Sequence, residues 1–550
     1  MKGCEYIVDF LVSHGVTDAF GIPGGVVLDL LFALDVKDGI TPHLSYHEQA
    51  AGFAAIGYAQ ASGRLGVAYA TRGPGFTNLL TPIAEAYSES RPVLFITGHA
   101  TPSLNEKMRV VADQEINTCA IVKTISKYAS RVDDVADLPD VLARAYTEAM
   151  TGRKGPVVLD IATKVFAGEI KTEVVEKSIH NGSLDEVVGI EDAIMNAKSP
   201  VLLIGDGVNQ AQRQKEVRRL AEKMQIPVLS SRFSHDVLCG SDLYFGYVGS
   251  HGIRYANFVL SKSDLIISMG NRLHFPVESV SYRQITERAK TIRIDIDASE
   301  FEREIPNSQT IEADLWQVVY GLLNVEADFG NHEEWLQVCE KLRSELKEED
   351  INSATKQIEE AMAKIPDDAM VVADVGNNEF WLSRACVHAN YKGRVLYSKS
   401  FGSLGCGICK AIGVYYATRE SVVCFTGDQG LQMNIQELQY VAQHQLPILI
   451  VLINNHASGM IKDREQVKYG RCVHTTTDSG YGNPDFRKLT DAFGLLYIHN
   501  MEQWDSIQPC LMELAVNTEE GLTPSLPAGK PIQDMIPELE RTKFDKLNEM

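Results

Sequence analysis

The sequence predicts an α/β chain of three doubly wound, parallel-sheet domains, and three observations carry that expectation. Short β-branched apolar runs alternate with helical patterns almost from end to end. The runs fall into three groups divided by polar stretches. The chain is also long enough for three cores, with 550 residues against roughly 150 per domain. Apolar runs set between helices read as strands buried on both faces, which is how parallel sheets are built.

In chain order the first group is 67–70, 93–97 and 157–161, the second 201–204, 265–268 and 292–296, and the third 371–373, 422–425 and 448–453. The stretch 170–188 is polar and contains His180-Asn181-Gly182-Ser183, while 325–350 is acidic and broken by Phe329-Gly330-Asn331. Both read as connectors, the second closing in a surface helix. Domains are therefore expected at 1–170, 185–325 and 355–520. A tail, 521–550, carries Pro524, Pro527, Pro531 and Pro537 and is expected to run as an extended strap. No repeat of about 20–50 residues is visible, which excludes a solenoid or propeller.

Hydrophobic residues make up 45% and charged residues 23%, ordinary values that exclude disordered and collagen-like chains. Lys and Arg number 52 against 73 Asp and Glu, a net charge of −21. Nucleic acid and anionic membranes are therefore not expected partners. The longest apolar runs, such as 446–453, fall far short of the roughly 20 residues that span a bilayer. The first ten residues include Glu5 and Asp9 and lack the pattern of a secretory signal, so a cytoplasmic location is expected. Ten cysteines are too sparse and irregular for a disulfide framework, and the Cys406/Cys409 pair has no second pair to complete a zinc site.

The most informative stretch runs from 421 to 464. A buried strand ends in Gly427-Asp428-Gln429-Gly430, where glycines allow a tight turn and leave backbone N–H groups free for phosphate. A helical segment over 434–444 follows, then a strand over 447–453 ending in Asn454-Asn455. Ligands of an open parallel sheet gather at the carboxyl ends of strands, so Asp428 and Asn455 should converge. One carboxylate and one amide carbonyl are hard oxygen ligands, suited to Mg²⁺ that also holds diphosphate oxygens.

Gly-Asp-x-Gly, then Asn-Asn after a short helix and strand, resembles the signature of thiamine diphosphate enzymes. The resemblance implies metal ligation by Asp428, Asn455 and the carbonyl of Ala457. It also implies a glutamate that exchanges a proton with the cofactor's pyrimidine, and Glu48 of Tyr46-His47-Glu48-Gln49-Ala50 takes that position. A third matching element is Ser400-Phe401-Gly402-Ser403-Leu404-Gly405, where Leu404 would wedge between the cofactor's two rings and the Gly402 carbonyl would accept from its amino group. Further cofactor contacts implied are Gly24, Gly25, Gly73, Pro74, Asn78, Asn377, Asn378, Gly427, Gln429, Gly430, Ser458, Gly459 and Met460. Gln114 would reach the reacting carbonyl from a partner subunit. The domain order implied is pyrimidine-binding, central Rossmann-like, then diphosphate-binding.

Within the family, Phe20-Gly21-Ile22-Pro23-Gly24-Gly25, Gly73-Pro74-Gly75-Phe76-Thr77-Asn78 and Asn434-Ile435-Gln436-Glu437-Leu438 resemble acetolactate synthase-like catalytic subunits. The implied reaction is decarboxylation of a 2-oxo acid donor, with pyruvate expected, and ligation of the product to a second carbonyl compound. Each site would be shared between chains, making a homodimer the minimum and a homotetramer an extension of it. Three residues depart from that pattern: Arg72, Asp113 and Arg464. An Arg offers a planar fork to carboxylate or phosphate, so Arg464 is expected to meet an anionic or sugar-like acceptor. Gly249-Ser250-His251-Gly252, Gly270-Asn271-Arg272 and Asp295-Ile296-Asp297 resemble segments that hold FAD in flavin-containing relatives. In other relatives the same domain is empty or takes a different nucleotide. Three alternatives stay open: a decarboxylase that releases an aldehyde, a flavin oxidoreductase, and a scaffold without activity.

Overall fold

The computed structural model describes residues 1–100, 108–109, 112–171, 189–273, 280–326 and 328–550. Most of the connector expected at 170–188 lies outside these. Among the described residues, eighteen strands form three six-stranded sheets in which every pairing is parallel. The first sheet contains β1 (Asp18–Gly21), β2 (Thr41–Leu44), β3 (Gly66–Tyr69), β4 (Val93–His99), β5 (Tyr128–Val132) and β6 (Val157–Ala162), in the order β2-β1-β3-β4-β6-β5. The second contains β7 (Pro200–Ile204), β8 (Val228–Ser230), β9 (Tyr244–Tyr247), β10 (Leu265–Met269), β11 (Lys290–Asp295) and β12 (Ser308–Glu312), in the order β12-β11-β10-β7-β8-β9. That is the doubly wound dinucleotide-fold order. The third contains β13 (Met370–Ala373), β14 (Val395–Tyr397), β15 (Val422–Gly427), β16 (Ile448–Asn454), β17 (Leu496–Ile498) and β18 (Cys510–Ala515), in the order β14-β13-β15-β16-β18-β17. The first and third sheets are thus wound identically.

Six helices matter for the site and are labelled in chain order: α1 (Glu48–Ser62), α2 (Asn377–His388), α3 (Gly407–Thr418), α4 (Asp428–Met433), α5 (Glu437–Gln443) and α6 (Gly459–Tyr469). α1 and α3 cross so closely that a methyl group on Gly413 would overlap the Ala54 carbonyl, and one on Gly57 the Lys410 backbone. The crossing is what the small residues of α1, Ala54, Ala55 and Ala59, permit, and it joins the first and third sheets through one continuous apolar core. Buried within it, Lys410 and Glu85 form an ion pair with both side chains fully enclosed, a pairing that offsets the cost of desolvating either charge alone.

Two expectations about the connecting segments need correction. The helix Glu333–Leu346 is not a free surface helix, because Trp335, Cys339, Leu342 and Leu346 form a buried stripe on the second sheet's core, and Trp335 Nε1 donates to the Pro200 carbonyl at 3.0 Å. The acidic residues that suggested a connector occupy only its outer face. The tail does not run as an extended strap: it folds back on itself, with Ser525 and Ile536 paired in an antiparallel bridge, and ends in a helix, Arg541–Glu549. It is also clamped rather than loosely laid. Arg254, itself buried, donates to the carbonyls of Met535 and Pro537, and Arg384 of α2 donates to that of Thr523. No helix among the described residues is long and apolar enough to cross a membrane.

Candidate active site

Every segment singled out for cofactor binding in the first and third sheets lies just beyond the carboxyl end of a strand. In the third sheet the winding reverses between β13 and β15, whose ends pair as Ala373 with Phe425, and the crevice of an open sheet forms at such a reversal. The chain turns helical directly after β15, at Asp428, and breaks at Asn434, whose side chain turns to donate to the Gly405 carbonyl at 2.8 Å. The helix expected over 434–444 is α5, shortened at its start, and the preceding α4 was not expected.

The β13 end brings in Asn377 and Asn378 at the start of α2. Asn377 is buried, yet neither atom of its amide has a hydrogen-bond partner among the described residues. A methyl group placed on Gly459 would lie 2.7 Å from Asn455 Nδ2 and 2.8 Å from Asn377 Nδ2, so these three residues converge and only glycine leaves the space open. Asp428 is buried. Its Oδ1 accepts from the Gln429 N–H at 3.0 Å and its Oδ2 from Asn483 Nδ2 at 2.6 Å. Burial pushes its carboxyl pKa above the ordinary carboxylate range despite those donors. A buried carboxylate without a Lys or Arg ion pair among the described residues, on the strand end neighbouring that of an amide with orphaned atoms, fits a divalent cation and a diphosphate. Ala457 forms an isolated antiparallel bridge with Thr476. The accompanying hydrogen bond runs from the Ser458 N–H to the Thr475 carbonyl at 2.9 Å, so it flanks Ala457 and leaves that residue's carbonyl out of the ladder.

Leu404 is half-buried on the glycine-rich loop, between Gly402 (φ 69°) and Gly405 (φ 88°). Asp374, at the end of β13, fixes that loop. Its Oδ1 accepts from Val375 N–H at 2.7 Å and Gly405 N–H at 2.9 Å, and its Oδ2 from Thr426 Oγ1 at 2.9 Å. One carboxylate thus ties the Leu404 loop to the strand that ends in Gly427.

The first sheet supplies the other half. Glu48 opens α1, is half-buried, and accepts from Asn78 Nδ2 at 2.8 Å. A methyl group on Gly75 would sit 3.2 Å from Glu48 Oε1. Gly24 packs against Thr71, while Gly25 faces open space. Gln114 lies against Gly73, and both have positive φ, 59° and 63°. Gly24, Gly25, Gly73, Pro74, Asn78 and Glu48 therefore gather at the ends of β1 and β3. Within one chain the two halves meet at their margins: Glu437 of α5 accepts from the Tyr46 N–H at 3.0 Å, two residues before Glu48, and burial pushes the Glu437 carboxyl up to about 7. Among the described residues no hydrogen bond joins Glu48 to the Asp428 group.

Of the three departures, Arg72 is engaged structurally, pairing with Glu115 at 2.9 Å. Asp113 and Arg464 are exposed. Cys406 and Cys409 are buried free thiols, and burial raises both pKa values well above the ordinary thiol range, the opposite of what a reactive thiol needs. Between the three sheets lies a cavity of about 440 Å³ lined by Gly205, Gly270, Asn271, Arg272, Asp295 and Lys399 among others. Two of the three segments likened to flavin-binding ones line it. The third, 249–252, is packed under the tail, where the Leu526 N–H donates to the Ser250 carbonyl at 2.7 Å.

Sequence reasoning passed over Asp374, Glu437 and Asn483. Asp374 could have been found, since an acid directly after a buried strand of an open sheet faces the ligand crevice. Asn483 sits in Gly480-Tyr481-Gly482-Asn483-Pro484, and its turn composition hid it.

The chain belongs to the thiamine pyrophosphate enzymes. Residues 1–121 match the family description "Thiamine pyrophosphate enzyme, N-terminal TPP binding domain", 189–322 its central domain and 374–522 its C-terminal TPP binding domain. Among its relatives, the acetolactate synthase isozyme 1 large subunit of Escherichia coli (strain K12) is 34% identical over 98% of either chain. The acetolactate synthase large subunit of Lactococcus lactis subsp. lactis is 31% identical over 97% of this chain and 96% of its own length. That of Haemophilus influenzae is 33% identical over 90% of this chain and 89% of its own.

Proposed function

We propose that this chain is a catalytic subunit of the acetolactate synthase type, which decarboxylates a 2-oxo acid and ligates the remaining acyl unit to a second carbonyl compound. The observation that supports the reading is the meeting of Asn455 with the orphaned amide of Asn377 over Gly459, beside the buried Asp428 that Asn483 ties to Asn454 at the ends of neighbouring strands, in a chain aligned end to end with acetolactate synthase large subunits. When bound, thiamine diphosphate supplies the electron-accepting ring that lets carbon dioxide leave and a new carbon–carbon bond form.

The chain's own residues divide the remaining work. Asp428, Asn455 and the Ala457 carbonyl would hold Mg²⁺ through hard oxygens. Asn377, Asn378 and the backbone of Gly427, Gln429 and Gly430 would face the diphosphate, with Ser458, Gly459 and Met460 lining the start of α6. Leu404 would press between the two rings, with the Gly402 carbonyl accepting from the amino group. Glu48 would hold and exchange a proton at pyrimidine N1′, a general acid/base role, with Asn78 fixing its carboxylate. Gln114 would approach the reacting carbonyl.

A second copy of the chain completes this site in the reading proposed here. Exposed Phe401, Met433, Leu44 and Tyr46 lie on or beside the site segments, and such apolar surface is what a partner covers. Arg464, exposed on α6 without an ion pair among the described residues, would meet an anionic acceptor. FAD is proposed for the cavity between the sheets, whose volume lies in the range of small-molecule sites.

The test is incubation of the purified protein with thiamine diphosphate, Mg²⁺ and a panel of 2-oxo acids, following carbon dioxide and condensation products. Carbon dioxide with a hydroxy-keto acid product is the expected result. Aldehyde as the sole product would remove ligation, and no turnover of any donor would remove the whole reading. An absorption band near the flavin visible region in the same preparation tests the FAD proposal.

A further inference from the structure

The segment after α6 doubles back over the proposed metal turn. Glu465 of α6 anchors it by accepting from Thr475 Oγ1 at 2.6 Å and from the Val473 N–H at 3.1 Å, and the Ala457–Thr476 bridge lays it along the turn. It ends at Asn483, whose side chain is the only group on it tied to three separate parts of the site among the described residues. Asn483 Nδ2 donates to Asp428 Oδ2 at 2.6 Å and to Asn454 Oδ1 at 2.9 Å, and lies 3.4 Å from His456 Nδ1. Its Oδ1 accepts from Gln432 Nε2 at 3.2 Å. An amide has two N–H donors, and both are spent here, one on each acceptor. A carboxylate can only accept, so the orientation of the Asn483 amide is fixed by its partner.

We infer that Asn483 is a positioning residue for the divalent cation: it locks the Asp428 carboxylate and the Asn454 side chain so that Asp428, Asn455 and the Ala457 carbonyl face one point. The inference rests on the reading that those three groups hold Mg²⁺. Asp428 has two carboxylate oxygens, each already oriented by one N–H, and the remaining lone pairs are therefore aimed rather than free to rotate. Asn454 precedes Asn455 directly, and its own Nδ2 donates to Glu513 Oε1 at 2.6 Å, so the turn is held from the opposite side by β18. Partners that orient a ligand in this way commonly change metal affinity about 10–100-fold when lost.

The experiment is titration of MgCl₂ into protein containing thiamine diphosphate, followed by calorimetry, for wild type, Asn483→Ala and Asn483→Asp. Asp keeps the shape of Asn but has no N–H to offer Asp428. Asn483→Ala is expected to weaken Mg²⁺ binding about 10–100-fold, with Asn483→Asp at least as weak, and turnover at saturating Mg²⁺ should recover to within a few-fold of wild type. Melting of the metal-free protein should fall in both variants because buried Asp428 and Asn454 lose a donor, so it is the recovery of turnover by excess Mg²⁺ that separates this role from a turn-forming one. Wild-type Mg²⁺ affinity in either variant, or a loss of turnover that excess Mg²⁺ does not restore, overturns the inference. If the wild-type protein itself binds no Mg²⁺ with the cofactor, the parent reading fails instead.

Discussion

Replacing Asp374 separates its role as a hydrogen-bond hub from any role of its charge. In Asp374→Ala, the N–H groups of Val375 and Gly405 and the hydroxyl of Thr426 lose their acceptor in a fully enclosed site. An orphaned buried N–H costs about 1–3 kcal/mol, so the two backbone donors alone cost about 2–6 kcal/mol. At about 2–4 °C per kcal/mol for a domain of 150–250 residues, the third-sheet transition should fall by roughly 10 °C. Thiamine diphosphate binding should weaken with it, since the Leu404 loop loses its tie. Asp374→Asn keeps Oδ1 as the acceptor for both N–H groups. Thr426 can then donate instead to the Gly427 carbonyl, 3.3 Å away, so the cost should stay near 1 kcal/mol. The sign of the pH effect follows from burial, which raises the Asp374 pKa above the ordinary carboxylate value. A raised folded-state pKa gives stability that is complete below the unfolded value and is lost as pH rises through the folded one. Wild type should therefore lose stability across that window and Asp374→Asn should not. Thermal melting at a series of pH values, with fluorescence titration of the cofactor, reads all of this. An Asp374→Ala protein that melts within 2 °C of wild type, or an Asn variant as damaged as the Ala one, refutes the hub.

Glu48→Gln still accepts from Asn78 but cannot exchange a proton, so turnover should drop by about two or more orders of magnitude with melting unchanged; residual activity within ten-fold of wild type in a carbon dioxide assay argues against the assigned role. Gly413→Ala drives a methyl group into the Ala54 carbonyl and should cost about 1–3 kcal/mol or more, read as a lower melting temperature, and a neutral result would mean the α1–α3 crossing is looser than described. Arg464→Trp should shift acceptor preference away from anionic compounds in a competition assay, and an unchanged product ratio removes that assignment.

The sequence was most legible where chemistry and geometry coincide. The nine apolar runs each lie in a parallel strand, overrunning it by one residue at most, because burial on both faces leaves an unbroken signal, whereas β2, β5 and β12 gave none, being edge strands with polar, half-exposed residues, and β1 and β8 are buried but only four and three residues long. Asp428 and Asn455 stood out because each closes a strongly apolar strand, whereas the role given to Glu48 came from the resemblance alone. Glu437 and Asn483 did not stand out, since each acts on groups brought near by folding, such as Glu437 on Tyr46 across nearly the whole chain, and Asp374 was legible only from its place directly after a buried strand. The amphipathic helix Glu333–Leu346 was misread because its acidic face dominated the composition, while the stripe Trp335, Cys339, Leu342, Leu346 at helical spacing carried the better signal.

The shared winding of the first and third sheets invites a comparison of matching loops. The connection after the third strand of each is Arg72-Gly73-Pro74 in one and Gly427-Asp428-Gln429 in the other, so the same scaffold address carries a glycine kink close to Glu48 in one sheet and the buried Asp428 carboxylate in the other. Loops at equivalent ends of two identically wound sheets see the same strand geometry, which makes these addresses the natural pair between which to graft.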